Sequence, residues 1–251
     1  EKGEDAMLPN FLHIGAAKCA SSWLWNVYKE HPDVYVPEHL DNVNFFVSDY
    51  RQGLQWYERT YFSDWSDQRA IGETTNSYML VERALERIER DLPNVKLTMT
   101  LRNPIDRAFI QWAHFSKRRF RPEQRMAFKN GLSSWTMFRL WMEPGMYASH
   151  LKKVYRHFPK ERVLVNFYDD LVDDPAQFLR RFLLFLEVDP DFQPSILNTI
   201  VGFPGPEQSD TEDGALARGF SDSVREEMRQ VFRTDLEALQ ALCGRDLSHW
   251  K

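Results

Sequence analysis

The stretch "FLHIGAAKCASSWLWNVYKEHP", residues 11–32, decides the fold. Its short apolar start predicts a buried strand that ends at Gly15, and its aromatic-rich second half predicts a helix that stops at the His-Pro pair. Ser21 or Ser22 is placed to cap this helix. A strand, a loop of small residues and a helix in this order are typical of a phosphate-binding site.

The loop "GAAKCASS", residues 15–22, has the features that an anion site needs. Small side chains let the main chain approach a ligand, and the N–H groups at a helix start point towards negative charge. Lys18 adds a cation, although the Gly-Lys-Ser/Thr ending of ATP-binding loops is missing. A tight turn with a solvent-directed lysine would give the same pattern. The predicted phosphate-binding residues are Ala17, Lys18, Cys19, Ala20, Ser21, Ser22 and Trp23.

Strands and helices alternate along the rest of the chain. This alternation predicts an α/β fold, with a central parallel sheet flanked by helices on both faces. We expect a single domain over residues 10–251 and a flexible N-terminus over residues 1–9. Further strands are predicted at 69–73, 95–102 and 162–171, a strand with a loop at 33–46, and helices at 51–62, 81–93, 103–120, 145–159, 174–188 and 221–242, the last capped by Gly244.

Charged residues follow three predicted strands directly: Lys18, Glu73 and Arg102. Ligands of parallel sheets bind beyond the carboxyl ends of the strands, so these groups are expected at one site. Arg102 also precedes a helix that begins with proline, and its guanidinium can clamp a second phosphate. The alternative for Arg102 is a structural ion pair with Asp106, and Arg107 is interpreted as a structural residue of that kind.

Composition excludes several classes of protein. The formal net charge is −5, which argues against a general nucleic-acid binder. No apolar run approaches the ~20 residues of a membrane span. Cys19 and Cys243 are far apart in sequence and are predicted to be free thiols, which favours a reducing compartment and a cytoplasmic location.

Two motifs together resemble one family. Lys18-Cys19-Ala20-Ser21-Ser22 matches the K-x-x-[ST]-[ST] loop, and "LRNPIDRA" (101–108) the L-R-[ND]-P-x-[DE]-R-A motif, of sulfotransferases that use 3′-phosphoadenosine 5′-phosphosulfate (PAPS). The resemblance is closest to the branch shared by bacterial and carbohydrate (heparan-type) enzymes. Further matching segments are "HPDVYVP" (31–37), "NFF" (44–46), "GETTNSY" (72–78), "PGMYASHLKKVYRHFP" (144–159), "FYDDLVDDPAQFL" (167–179) and "GRDLSHW" (244–250).

The resemblance implies a P-loop-type domain and a sulfuryl transfer. The loop would hold the 5′-phosphosulfate and Arg102 the 3′-phosphate. The acceptor would be a hydroxyl, or less often an amine, of a small molecule, lipid or carbohydrate, and 3′-phosphoadenosine 5′-phosphate (PAP) would be released. A sulfuryl group carries less charge than a phosphoryl group, so no metal is implied. The alternatives are a nucleotide-dependent phosphotransferase (kinase) on the same fold and a degenerate member that binds without turnover.

The chain departs from the family pattern where the general base is usually found. Asp41 and Asn42 occupy the places of a Lys-Glu pair, and an amide cannot act as a base. Asp41 or His39 is therefore the candidate base. An acceptor that is acidic, or that is an amine, would need little help from a base.

Glu73 matches a family glutamate, but Thr74 replaces a lysine that assists catalysis in some members. Three roles stay open for Glu73: support of Lys18, contact with the acceptor, or pairing within the sheet. Ile110 stands where the 3′-phosphate motif usually ends in serine, and Arg218 is a candidate replacement contact to the nucleotide. Residues 117–129 carry six cations and one acid, which indicates either a contact for an acidic acceptor or a solvated surface.

Overall fold

A computed structural model describes residues 7–119, 138–199 and 222–250, and of residues 115–119 and 138–139 it describes the main chain. Arg218 and most of the basic stretch 117–129 therefore lie outside the described residues, as do residues 1–6. The five strands are β1 (Phe11–Gly15), β2 (Val34–Tyr35), β3 (Ala70–Thr74), β4 (Lys96–Leu101) and β5 (Val163–Phe167). The α-helices are α1 (Ser21–Glu30), α2 (Leu54–Tyr61), α3 (Glu82–Asp91), α4 (Pro104–Arg119), α5 (Tyr147–His157), α6 (Tyr168–Asp173), α7 (Pro175–Leu186) and α8 (Asp222–Cys243).

The strands form one parallel sheet in the order β2-β3-β1-β4-β5. The first strand lies at the centre, with Leu12 opposite Glu73 on one side and Leu97 on the other. The predicted α/β fold with a central parallel sheet is confirmed. Because β3, β1 and β4 are neighbours, the loops that follow them meet at the same edge of the sheet.

Alternating residues of β1 face two separate cores. Leu12 and Ile14 lie in the larger core, which includes residues of α3, α4, α5 and α8. Phe11 packs against α1 and α7 on the opposite face, and its ring lies 5.3 Å from the ring of Tyr28. This alternation is the period of two expected for a strand covered on both sides. Helices therefore flank both faces of the sheet, as the sequence predicts.

Two helix boundaries bear on the site. The predicted strand over 162–171 ends at Phe167, and α6 begins at Tyr168, with Asp169 and Asp170 in its first turn, where acidic groups favour a helix start. The start of α5 is fixed by Asp235 of α8, whose carboxylate accepts hydrogen bonds from the main-chain N–H groups of Ala148 (2.8 Å) and Ser149 (3.0 Å).

The C-terminal end of α8 agrees with the sequence analysis. Gly244 has a φ of 62°, the left-handed conformation that favours glycine after a helix. None of the helices within the described ranges is long and apolar enough to cross a membrane.

Candidate functional site

The loop after β1 has an unusual main-chain path. Gly15 has a φ of 151°, and a Cβ atom there would lie 2.3 Å from Sδ of Met79. Lys18 and Ala20 adopt left-handed conformations with φ of 68° and 72°. The N–H group of Ala16 donates to the carbonyl of Thr100 at 2.9 Å, which ties the loop to β4. Non-glycine residues in this conformation concentrate at ligand-binding sites.

The start of α1 leaves main-chain N–H groups without partners in the helix. The helix begins at Ser21, and the N–H group of Leu24 donates to the carbonyl of Ala20 at 3.0 Å. The N–H groups of Ser21, Ser22 and Trp23 precede this bond and have no partner within the helix. They lie at the positive end of the helix dipole, where an anion is favoured. The predicted cap by Ser21 or Ser22 is wrong, because Ala20 holds the cap position without a side-chain bond.

Two predicted phosphate contacts can contribute only their main chain. The side chain of Cys19 is buried, and burial raises the pKa of its thiol to about 11. The side chain of Trp23 is also buried, and its indole N–H donates to the carbonyl of Ile196 at 3.2 Å. The prediction that both cysteines are free is confirmed, since neither Cys19 nor Cys243 forms a disulfide.

Arg102 lies at the end of β4, close to the loop. Its guanidinium carbon is 4.0 Å from the centre of the Tyr168 ring, and its carbonyl accepts a hydrogen bond from the Tyr147 hydroxyl at 2.8 Å. The same hydroxyl is 4.0 Å from Sγ of Cys19. Tyr147 therefore joins the strand end to the phosphate loop. The alternative pairing of Arg102 is not seen, because Asp106 pairs with Arg225 at 3.4 Å.

The helix after Arg102 contributes structural residues. Arg107 is fully buried and donates a hydrogen bond to the carbonyl of Trp141, and burial lowers the pKa of its guanidinium. Its charge and that of Arg102 both act on Cys19. The loop therefore lies in a positive electrostatic environment. Ile110 is 1% exposed and packs into the larger core.

Asp41 lies against the phosphate loop. Its carboxylate accepts hydrogen bonds from the hydroxyl of Ser22 at 3.2 Å and from the side-chain amide of Asn42 at 3.3 Å. Its carbonyl accepts from the hydroxyl of Thr74. His39 is placed differently: its side chain is 96% exposed and its recorded ion-pair contact is Glu38, at 4.0 Å. Of the two candidate bases, the structure brings Asp41 to the loop.

Amide side chains fix the segment around Asp41 to the segment after β3. Oδ1 of Asn42 accepts hydrogen bonds from the main-chain and side-chain N–H groups of Asn76, at 3.2 and 3.0 Å. Oδ1 of Asn44 accepts from the hydroxyl of Ser77 at 2.9 Å. These bonds give Asn42 a structural role in place of the usual base and hold Asp41 beside the loop.

Glu73, in β3, is buried next to the segment that carries Asn76 and Ser77. Its carboxylate accepts hydrogen bonds from the hydroxyls of Thr75 (2.7 Å), Tyr78 (2.8 Å) and Tyr57 (3.2 Å). Burial raises its pKa to about 7. The side chain has no exposed surface with which to contact an acceptor. The bonded hydroxyls belong to α2 and to the segment after β3, so Glu73 ties these two segments together. Its role in catalysis stays a prediction.

The family of the chain follows from a match over most of its length. A family model described as "Sulfotransferase domain" matches residues 8–202. The chain belongs to the sulfotransferase family. The predicted resemblance is confirmed, and none of the comparisons favours the phosphotransferase alternative.

Curated sulfotransferases match most of this chain. Heparan sulfate glucosamine 3-O-sulfotransferase 6 of Homo sapiens is 33% identical over 184 residues, which cover 71% of this chain and 52% of that protein. Heparan sulfate glucosamine 3-O-sulfotransferase 3A1 of Mus musculus is 33% identical over 186 residues, which cover 71% and 46%. The chain spans about half the length of the curated relatives that it matches.

Solved structures share the fold. A sulfotransferase from Alicyclobacillus acidocaldarius is 27% identical, with a TM-score of 0.77 over 97% of this chain and 98% of that one. A mouse sulfotransferase solved in complex with PAP has a TM-score of 0.52 at 16% identity, over 94% and 90% of the two chains. The second similarity supports the P-loop-type fold.

Sequence reasoning missed Tyr147 and Tyr168 as parts of the site. Both stand in segments that match the family, 144–159 and 167–179, but no local pattern assigns a role to either. The contacts with Arg102 span 45 and 66 positions of the chain. Their only sequence signal is an aromatic residue in a segment that matches the family.

Proposed function

We propose that the chain transfers the sulfuryl group of PAPS to an acceptor hydroxyl, or less often an amine, and releases PAP. The observation that carries this proposal is the Tyr147 hydroxyl, which contacts both Arg102 and the loop at Cys19. Two anion-binding elements are thereby held at the ends of adjacent strands, roughly 4.8 Å apart in the sheet. A nucleotide with phosphate groups on both its 3′ and 5′ positions would meet both elements at once.

In the proposed complex the loop holds the 5′-phosphosulfate. The N–H groups of residues 17–23 donate to its oxygens. The Ser22 hydroxyl, which donates to Asp41 in this structure, would turn to donate to the same oxygens. Lys18 donates to the oxygen that bridges phosphorus and sulfur, where negative charge grows as the S–O bond breaks. Arg102 binds the 3′-phosphate. The site-residue predictions at Ala17, Lys18, Cys19, Ala20, Ser21, Ser22, Trp23 and Arg102 thus enter the proposal, and that for Arg218 stays a prediction.

Asp41 is the proposed general base. The acceptor oxygen attacks sulfur on the side opposite the bridging oxygen, a new S–O bond forms, and the bond from sulfur to the bridging oxygen breaks. The acceptor proton passes to the Asp41 carboxylate, which lies 3.2 Å from the Ser22 hydroxyl and so faces the loop. His39, exposed in solvent, would need a change of loop position to take this role.

The acceptor is proposed to be a carbohydrate hydroxyl, with small molecules and lipids as the other candidates. The support is the naming of the curated relatives as heparan sulfate sulfotransferases. The cytoplasmic location inferred from the free cysteines stays a prediction.

The test is to incubate the protein with PAPS and a panel of sugars, phenols and lipids, and to measure PAP by anion-exchange chromatography. We expect PAP and a sulfated product in equal amounts, with the same rate in the presence of EDTA. Phosphoryl transfer from ATP that requires Mg²⁺ would instead favour the kinase. PAP binding with no consumption of PAPS across the panel would indicate a degenerate member.

A further inference from the structure

The guanidinium of Arg102 packs against the aromatic ring of Tyr168. The guanidinium carbon lies 4.0 Å from the ring centre, a distance at which the cation is attracted to the aromatic face. Arg102 is 8% exposed, so its long side chain has little freedom away from this ring. Contact with the Tyr168 ring is therefore one of the interactions that fix the position of the Arg102 guanidinium.

The C-terminal segment Arg245–Trp250 packs against Phe167, the residue before Tyr168. The indole of Trp250 is 2% exposed, and its centre lies 5.8 Å from the centre of the Phe167 ring. The guanidinium carbon of Arg245 lies 4.3 Å from the same ring. Phe167 is thus enclosed by both ends of the segment.

The same segment donates hydrogen bonds to Asp169 and Asp170, the two residues after Tyr168. The carboxylate of Asp169 accepts hydrogen bonds from the indole N–H of Trp250 at 2.7 Å and from the His249 ring at 2.8 Å. The carboxylate of Asp170 accepts two parallel bonds from Arg245, at 2.8 and 2.7 Å. A bidentate pair of this kind fixes orientation as well as distance.

The Asp170 contact is more than a surface ion pair. The side chains of Asp170 and Arg245 are 17% and 29% exposed, and Arg181 of α7 adds a third bond at 2.7 Å. Burial alone would raise the pKa of Asp170, but the bonds from Arg245 and Arg181 lower it below its ordinary value. The carboxylate is thus charged and held at neutral pH.

The segment also reaches the second support of Arg102. The Trp250 ring centre lies 6.4 Å from that of Tyr147, whose hydroxyl donates to the Arg102 carbonyl. The Trp250 indole therefore packs near Tyr147, which bonds to the Arg102 carbonyl. It also contacts Phe167 and Asp169, the two neighbours of Tyr168 in the chain.

We propose that Arg245 and Trp250 are positioning residues that hold Arg102 in place for the 3′-phosphate. This inference rests on the proposed function, because it assumes that Arg102 meets that phosphate. It gives a role to the C-terminal segment "GRDLSHW", which is remote in sequence from both nucleotide motifs. The segment acts through Tyr168 and Tyr147 and does not itself contact the nucleotide.

The test compares the affinities of PAP and of AMP, which lacks the 3′-phosphate, by calorimetry. The parent protein should bind PAP more tightly than AMP, and Arg102→Ala should abolish most of this preference. Arg245→Gln and Trp250→Phe should each reduce the preference by about three- to thirtyfold, the range of coupling through intermediate residues. Their affinity for AMP should remain that of the parent.

Matched controls separate positioning from general stability. Arg229→Gln removes an ion pair with Glu226 on α8, and Trp65→Phe removes an indole bond to the carbonyl of Gln68. Both can lower the melting temperature but should leave the preference for PAP unchanged. An unchanged preference in Arg245→Gln and Trp250→Phe would overturn this inference alone. A parent protein that binds neither nucleotide, or binds both equally, would overturn the proposed function and this inference with it.

Discussion

The proposed nucleotide wall and the proposed acceptor wall of the site differ in the groups on which their chemistry depends. The nucleotide wall, residues 15–23 with Arg102, presents mostly main-chain N–H groups, and its small residues serve only to shape the loop. The acceptor wall, residues 38–44 with 73–78, depends on the identities of side chains. At that wall the chain has Asp41, Asn42 and Thr74, three residues that depart from the family pattern stated in the sequence analysis.

This difference explains why one wall is easy to recognise from sequence and the other is not. A cradle made of N–H groups tolerates Ala17 or Cys19, provided that the main chain keeps its path. On the acceptor wall, Asn42 and Asn44 bond to Asn76 and Ser77, so the polar groups hold each other. Small residues in a loop therefore give a sequence pattern, whereas bonds such as that between Asn42 and Asn76 give none.

The largest expected effect is on turnover, in a variant of the nucleotide wall. Lys18→Ala should lower turnover of PAPS by about 10²–10³, as loss of one preorganised donor to a leaving group does. Lys29→Ala on the surface of α1 is the matched control and should leave turnover unchanged. Steady-state release of PAP measures both. Turnover of Lys18→Ala within a few-fold of the parent would remove Lys18 from its proposed role.

The next effect is a loss of turnover, without loss of PAP affinity, in a variant of the acceptor wall. Asp41→Asn should lower turnover by about 10², the lower end of the range for a general base, while PAP affinity stays near that of the parent. His39→Asn should have little effect, because the ring is exposed in solvent. Rates at saturating PAPS measure the difference. The reverse pattern, with His39→Asn slow and Asp41→Asn active, would assign the base to His39.

The smallest effect concerns the buried support of the acceptor wall. The folded-state pKa of Glu73, about 7, lies above the ordinary value of 4.5, so folding favours the protonated form. Ionisation of Glu73 therefore destabilises the folded state increasingly from pH 4.5 to pH 7, and adds no further loss above that. Glu73→Gln cannot ionise and should lack this loss.

The measurement is the melting temperature of the parent protein and of Glu73→Gln across that interval. Between pH 4.5 and pH 7 the free energy of unfolding of the parent should fall, relative to that of the variant, by at least about 1 kcal/mol. For a chain of this size, about 1 kcal/mol lowers the melting temperature by roughly 2–4 °C. Glu38→Gln, at an exposed position, is the control and should follow the parent. Parallel melting temperatures for the parent and Glu73→Gln would show that Glu73 ionises normally.

The sequence predicts those parts of the site that are local. The strand, loop and helix over 11–30 follow from apolar period and small residues, and Arg102 follows from its place after a strand. The predicted helix cap failed because the loop closes through the left-handed conformation of Ala20, which no side-chain pattern announces. The strand over 162–171 was predicted too long because "NFYDDL" fits either a strand end or a helix start.

Contacts between distant segments could not be predicted. The hydrogen bond from Ser22 to Asp41 and the bond from Tyr147 to Arg102 depend on how helices pack on the sheet. Such packing brings side chains together without regard to their separation in sequence. The exposure of His39 and the burial of Glu73 likewise follow from the fold, although both residues are chemically able to act as bases.

The most direct test of the account is a crystal structure of the protein with PAP. We expect the 5′-phosphate within hydrogen-bond distance of the N–H groups between Lys18 and Ser22, and the 3′-phosphate within reach of the Arg102 guanidinium. A nucleotide bound with its 3′-phosphate away from Arg102, or at another part of the surface, would contradict it.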